Sequence, residues 1–415
     1  MPTSQTFFIN APAPWVKRPE AFGIRAAESQ ARGAVFQGLE NPSEFFQGPE
    51  EFGMRFSNLW KRGRVSFQSL ENSTGRKPLA PFPPAIRMQP DMRWRLKQFG
   101  ALAWLTALEA MRQPVFLLLM AAASFFAGLL PLITAHTLGE AERMVRDSAL
   151  ALHFVTGLVL GSYLACAAFQ HEIRRGTVAA ILSKPVGRMT LFLAKFTGIA
   201  LVMTLFSAAL TITTMLAARA ATPENFVDWW SEGPLLCAVP LAFLVAGLIN
   251  YFTRRPFVSN AFVMLVAALG AALLYAGFFN DSGELVAWGQ PLPWKILPAG
   301  ALITLAILVL SAFALLLATK LDVVPTLSLC SVLFLLGLMS DYLFGRTAAT
   351  SKVSAVLYGL VPNLQQFWLA DALAGGGTIP WSYVAAAALY AFSLLVFLLA
   401  LGMLVFGRME VRSAA

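Results

Sequence analysis

The side chains best placed to do chemistry lie together between His171 and Arg188, in HEIRRGTVAAILSKPVGR. Glu172 stands at the head of this segment, and Arg174, Arg175, Lys184 and Arg188 make it basic. Groups of this kind form ion pairs and charge-assisted hydrogen bonds rather than attacking a substrate. The middle, Thr177–Leu182, is helix-forming and half apolar; over the whole segment Ile173, Val178, Ile181 and Leu182 are the apolar contact residues. Pro185 and Gly187 then break the helix, and Leu191 opens the next apolar run. The chemistry predicted is docking: a short amphipathic, basic element that a soluble partner can grip, set between two stretches each long enough to cross a bilayer.

Patterns that would make or break covalent bonds are missing from the sequence. It has no GxxxxGK[ST] loop to cradle ATP phosphates, no GxSxG elbow and no HExxH pair. Ser351 and Lys352 are adjacent, but adjacency alone does not supply the geometry of a Ser/Lys dyad. His136, His153 and His171 lack ligand spacing, and Cys166, Cys237 and Cys330 all fall in apolar runs, where they read as small core residues. We therefore expect no catalytic residue, no metal and no cofactor. An ion-coupled carrier needs carboxylates or histidines inside its spans. The main candidates are His153, within a turn or so of the outer interface, and Lys195, placed to snorkel to the inner one. Energy for any transport must then come from outside the chain.

The elements that position the segment follow from composition. The 415 residues are 57% hydrophobic and 13% charged, with a mean hydropathy of +0.65. Soluble domains carry roughly 25% charged residues, so this is the balance of a polytopic membrane protein. The net charge of +9 fits Lys and Arg gathered in cytoplasmic loops better than it fits nucleic-acid binding. A bilayer core about 30 Å thick needs roughly 20 apolar helical residues, and about eight such runs are present. They lie near 114–134, 149–168, 191–218, 235–252, 257–279, 297–319, 323–343 and 381–406. Phe252–Pro256 joins the fourth and fifth in a tight hairpin, and Lys320–Asp322 joins the sixth and seventh. Gly157 and Gly161 form a GxxxG pattern in the second run, read here as close packing within the chain. The expected fold is an all-α membrane helix bundle.

Ahead of it, residues 1–90 are polar, with scattered Pro and Gly and with Phe beside Gly, as at Phe22–Gly23 and Phe52–Gly53. They read as a mostly disordered cytoplasmic tail. Met1–Glu20 lacks the basic and apolar regions of a signal peptide. Residues 91–113 form an amphipathic elbow helix: Ala101, Trp104, Leu105, Leu108 and Met111 share one face, and Arg95, Gln98, Glu109 and Arg112 lie elsewhere. Residues 114–415 are the transmembrane domain. The Lys and Arg distribution puts Arg174, Arg175, Lys184, Arg188, Arg254, Arg255, Lys320 and Arg408 inside, and Arg143, Arg146, Arg219, Lys295, Arg346 and Lys352 outside. Both termini are then cytoplasmic, and Trp229, Trp230, Trp288, Trp294, Trp368 and Trp381 gather at the outer interface.

The order of residues in 171–188 resembles the cytoplasmic coupling region of the type-2 permease family of ATP-binding-cassette (ABC) transporters. In that family a Glu, a Gly-Thr, a Ser-Lys-Pro-like turn and an Arg precede the third span. Here these are Glu172, Gly176–Thr177, Ser183–Lys184–Pro185 and Arg188, followed by Leu193, Lys195, Phe196 and Gly198. The stretch 101–114 is similar to the family's interfacial helix, with Glu109, Ala110 and Arg112 at its Glu-Ala and Arg positions. Gly337–Tyr342 resembles part of the family's late hairpin, Pro362–Trp368 a re-entrant or interfacial segment, and Phe406–Val411 the basic-acidic exit. The family core usually has six spans, so the hairpin near 235–279 looks like an addition, and residues 1–90 have no counterpart.

The resemblance implies a membrane subunit of an exporter-type ABC transporter in a bacterial inner membrane, driven by a separate ATPase subunit. Glu172, Arg174, Arg175, Gly176, Thr177, Ser183, Lys184, Pro185 and Arg188 are the implied coupling residues, and Glu109 and Arg112 fix the elbow at the bilayer surface. The partners implied are the ABC ATPase, a second permease subunit in a homodimer or heterodimer, and membrane lipids, with no nucleic acid. The alternatives are a non-transporting membrane scaffold coupled to an ATPase and an ion-coupled secondary carrier.

Overall fold

The computed structural model describes residues 92–134, 140–174, 187–221, 227–346 and 351–408. The tail at 1–90 and, within the docking segment, Arg175, Gly176, Thr177, Ser183, Lys184 and Pro185 lie outside the described residues, as does His136. What is described is helical, with no strand and only two isolated bridges, Ala221 to Val227 and Phe279 to Leu285.

Ten α-helices follow in order: α1 Met92–Met111, α2 Pro114–Ile133, α3 Ala141–Arg174, α4 Arg188–Ala220, α5 Trp229–Thr253, α6 Phe257–Ala276, α7 Leu297–Ala318, α8 Val323–Leu338, α9 Lys352–Leu360 and α10 Trp381–Gly407. Their ends are written locally. Pro114 opens α2 at a position where the missing N–H costs nothing. Asp228 caps α5 by accepting from the Trp230 N–H at 2.9 Å. Arg254, in the left-handed region at φ 54°, closes α5, and Pro256 starts α6 two residues later.

Among the described residues seven helices are long and apolar enough to cross a membrane: α2 through α7, with α7 extended to Trp294, and α10. The remaining apolar run is shorter than the sequence suggested. Its helix, α8, ends at Leu338 after 16 residues, or roughly 24 Å at 1.5 Å per residue. A π turn over Asp341–Gly345 follows.

The bundle is built around α3, α4 and α7. In these spans 61 to 67% of the apolar window is buried, against 17 to 28% in α5, α6 and α10, which lie at the periphery. Small residues let the central helices close on one another. A methyl group at Gly157 would overlap Ile307, and one at Gly161 would overlap Ser311, so the GxxxG pattern is the contact between α3 and α7. The antiparallel hairpin of α5 and α6 is present, and Asn250 Nδ2 donates to the Arg255 carbonyl across its tip.

The elbow α1 lies against α4 through its small residues. Ala103, Thr106, Ala107, Ala110 and Met111 are buried, whereas Trp104 is 56% and Leu105 52% exposed. The reason is steric. Gly198 of α4 sits against the Ala103 carbonyl, Thr106 and Ala107, and only small side chains allow that approach. The large apolar residues are left pointing away from the protein, as suits an interfacial helix. Cys166 and Cys330 are buried as expected, but Cys237 is exposed on the peripheral α5 rather than in the core.

Candidate functional site

Segment 171–188 leaves α3 at its C-terminal end and enters α4 at its first residue, so these two helix ends set its geometry. They are clamped together. Lys195 of α4 is 1% exposed, and its Nζ donates to the Ala168 carbonyl of α3 at 2.7 Å. It also stands 5.5 Å from the centre of the Phe169 ring. This corrects the expectation that Lys195 snorkels to the interface: its ammonium is held inside the protein. Phe169, Phe192 and Phe406 pack around it with ring centres 5.3 to 6.1 Å apart, bringing in the end of α10. Gly402 of α10 makes room for the Phe192 ring, and Arg188 donates to the Gly407 carbonyl at 3.2 Å. Three helix ends are thus joined where the segment leaves α3 and enters α4.

Of the expected coupling residues, Arg188 belongs to this junction, and Glu172 and Arg174 lie in the last turn of α3. Glu109 and Arg112 are both exposed at the end of α1, and Tyr163 of α3 donates to Gln113 at 3.3 Å beside them. What attaches the elbow to the bundle is the packing of its small residues on Gly198.

His153 is fully buried, with Nε2 2.9 Å from Ser207 Oγ and its ring against Phe206. It lies in α3, just past the polar opening stretch Ala141–Ser148. Lys195 and His153 therefore sit in separate packed environments and do not form a relay.

The opposite end of the bundle is fixed by a second set of contacts. Lys295 pairs with Glu142 at 3.0 Å, so α3 and α7 start together and run parallel. Arg219, read from sequence as a loop cation, is buried: it pairs with Asp228 at 3.5 Å and Asp281 at 3.8 Å and donates to the carbonyls of Ala276 and Phe279. That cluster ties the hairpin of α5 and α6 to the end of α4. An Asp before an apolar run is a helix-start signal, and it was the available clue that Asp228 has a structural role. Trp229, Trp230, Trp288, Trp294 and Trp381 are exposed at this end, whereas Trp368 stacks on Phe154, 6.1 Å between ring centres. The turn Gln365–Phe367 thus dips to the depth of Phe154, with Leu364 and Phe367 fully buried. Leu364 N–H donates to the Gly337 carbonyl, and Asn363 Nδ2 donates to Asp341 Oδ1, both at 3.0 Å. The two late motifs singled out in the sequence are therefore in contact. Among the described residues no three His, Cys, Asp or Glu side chains form a metal-binding group.

Fold and site together define a polytopic all-α membrane protein whose central spans are joined by a polar connecting segment. Residues 128–316 match the family described as ABC-2 family transporter protein, a stretch that includes segment 171–188 and the hairpin of α5 and α6. This match supports an ABC-2-type permease, the membrane component of an ABC-type transporter. No curated protein and no solved structure matches the chain.

Proposed function

We propose that this permease is driven by a separate ABC ATPase and that the two meet at His171–Arg188. The observation that carries the reading is the base of the segment, where Lys195, its Ala168 acceptor and three phenylalanine rings join the ends of α3, α4 and α10. A hydrogen bond from a charged donor contributes about 1.5–3 kcal/mol, and each aromatic pair about 0.5–1.5 kcal/mol. A segment on such a base moves its helices as a unit. ATP-driven closure of the partner would push it and swing the spans between inward- and outward-facing arrangements. Arg174, Arg175 and Lys184 supply charged contacts to the ATPase, and Ile173, Val178, Ile181 and Leu182 apolar ones.

In this reading the protein exports its cargo across a bacterial inner membrane, with both termini cytoplasmic and two permease subunits in the working assembly. The orientation rests on the Lys and Arg count. It is in keeping with Arg254, Arg255 and Lys320, which stand exposed at the segment's end of the bundle, while Arg146 and Arg219 at the other end are buried among protein acceptors. The test is purification of the full chain in mild detergent from its own membranes, with identification of what accompanies it. A stoichiometric subunit carrying GxxxxGK[ST] and hydrolysing ATP is expected. Transport by the purified chain alone, driven by an ion gradient, would replace this reading with the carrier.

A further inference from the structure

At the end of the bundle opposite segment 171–188, the turn after α8 opens a cavity of ≈ 530 Å³ lined by Asp341, Tyr342, Gly345, Arg346, Tyr358 and Gln365. The π turn joins Arg346 N–H to the Asp341 carbonyl at 3.2 Å, so the two charged residues stand on one rim, a single turn apart. Here no ion pair joins them among the described residues. Each is held by a different partner. Asp341 Oδ1 accepts from the Tyr358 hydroxyl at 2.6 Å and from Asn363 Nδ2 at 3.0 Å. The Arg346 guanidinium lies over the Tyr342 ring, 4.8 Å from its centre. The hydrogen bond to Asp341 raises the Tyr358 pKa above the ordinary phenol value, so the phenol stays a donor and the carboxylate its acceptor. The second carboxylate oxygen, Oδ2, takes no hydrogen bond among the described residues.

Opposite charges on one rim, unpaired with each other and with aromatic rings beside them, fit a ligand that carries opposite charges itself. We propose that this cavity binds a zwitterion, with its ammonium group against Asp341 and the Tyr358 ring and its anionic group on Arg346. An ammonium ion gains from both a carboxylate and aromatic faces. A guanidinium stacked on one face keeps its N–H edge for an anion. The cavity suits an aminoethyl phosphate group, which is the headgroup of a zwitterionic phospholipid and also exists as a free solute.

The inference goes beyond the transport reading and does not depend on it, because binding is measured on the full chain without an ATPase. Purified protein is titrated calorimetrically with glycerophosphoethanolamine, with glycerophosphate and with ethanolamine. The zwitterion is expected to bind about tenfold more tightly than either half, and Arg346→Gln and Asp341→Asn each to remove that advantage. Asn at 341 keeps an oxygen for Tyr358 and Asn363, and Arg346 is exposed, so either variant reports on the ligand rather than on folding. In a second arm the chain is placed in discs of mixed phosphatidylethanolamine and phosphatidylglycerol, and the retained lipid is counted. Enrichment of phosphatidylethanolamine that Arg346→Gln abolishes identifies a lipid headgroup as the ligand. A zwitterion advantage in solution without lipid enrichment identifies a free solute. Equal affinity for the three soluble probes, with no lipid preference, overturns the site.

Discussion

Gly198 gives α1 its seat on the bundle. A side chain there would meet Thr106 Cβ at 2.7 Å and the Ala107 nitrogen at 3.0 Å, and the backbone of α1 cannot yield without losing its packing. Gly198→Val is expected to lower stability by about 1–3 kcal/mol, the usual cost of overpacking. Scanning fluorimetry in detergent measures it, and an unchanged Tm would mean that the elbow is not seated there. The buried pair Arg219 and Asp228 makes a different kind of claim. Arg219→Leu leaves Asp228, 1% exposed at its side chain, without its cation. Removing one partner of a buried pair costs about 3–5 kcal/mol, whereas replacing both costs far less. The double variant Arg219→Leu with Asp228→Asn is therefore expected to melt above the single one. Equal Tm values would show that the pair contributes no coupling.

At the scale of elements, most spans were legible because a bilayer-length apolar run with terminal charges can only be a membrane helix. The hairpin of α5 and α6 was readable from the break at Arg254–Pro256. What could not be read was the outcome of contacts distant in sequence. The apolar run after Val323 continues past Gly337, yet α8 stops, because Leu364 and Asn363 reach back to Gly337 and Asp341. Hydropathy saw Lys195 and assigned it to an interface, because no local signal reveals the Ala168 carbonyl waiting on another helix. The elbow's helical period was plain, but its buried face was chosen by Gly198 rather than by apolarity. The segment itself was the clearest functional signal in the sequence, and the clamp beneath it was invisible there. The hairpin carries its own prediction. A cysteine at Arg255 is expected to react with a membrane-impermeant thiol reagent from the same side as one at Arg408. Labelling from opposite sides would mean that the hairpin does not cross as drawn.

For the whole molecule, the bundle and the clamp form one unit from which segment 171–188 leaves. In the proposed mechanism the central helices α3 and α4 would receive a push at 171–188, and α10 is tied to them by Phe406 and by Arg188. The proposal that an ATPase delivers work to this protein rests on the segment. The direct test compares Glu172→Ala combined with Arg175→Ala, and separately Gly176→Pro, with the unaltered chain in reconstituted vesicles. The assay measures capture of the ATPase and hydrolysis stimulated by substrate. The first variant would remove the proposed charged contacts, worth about 2–5 kcal/mol when desolvated, and the second restricts the backbone within the segment. Both proteins are expected to insert at normal levels and to lose or uncouple the ATPase; unchanged capture and hydrolysis in both would contradict the central claim.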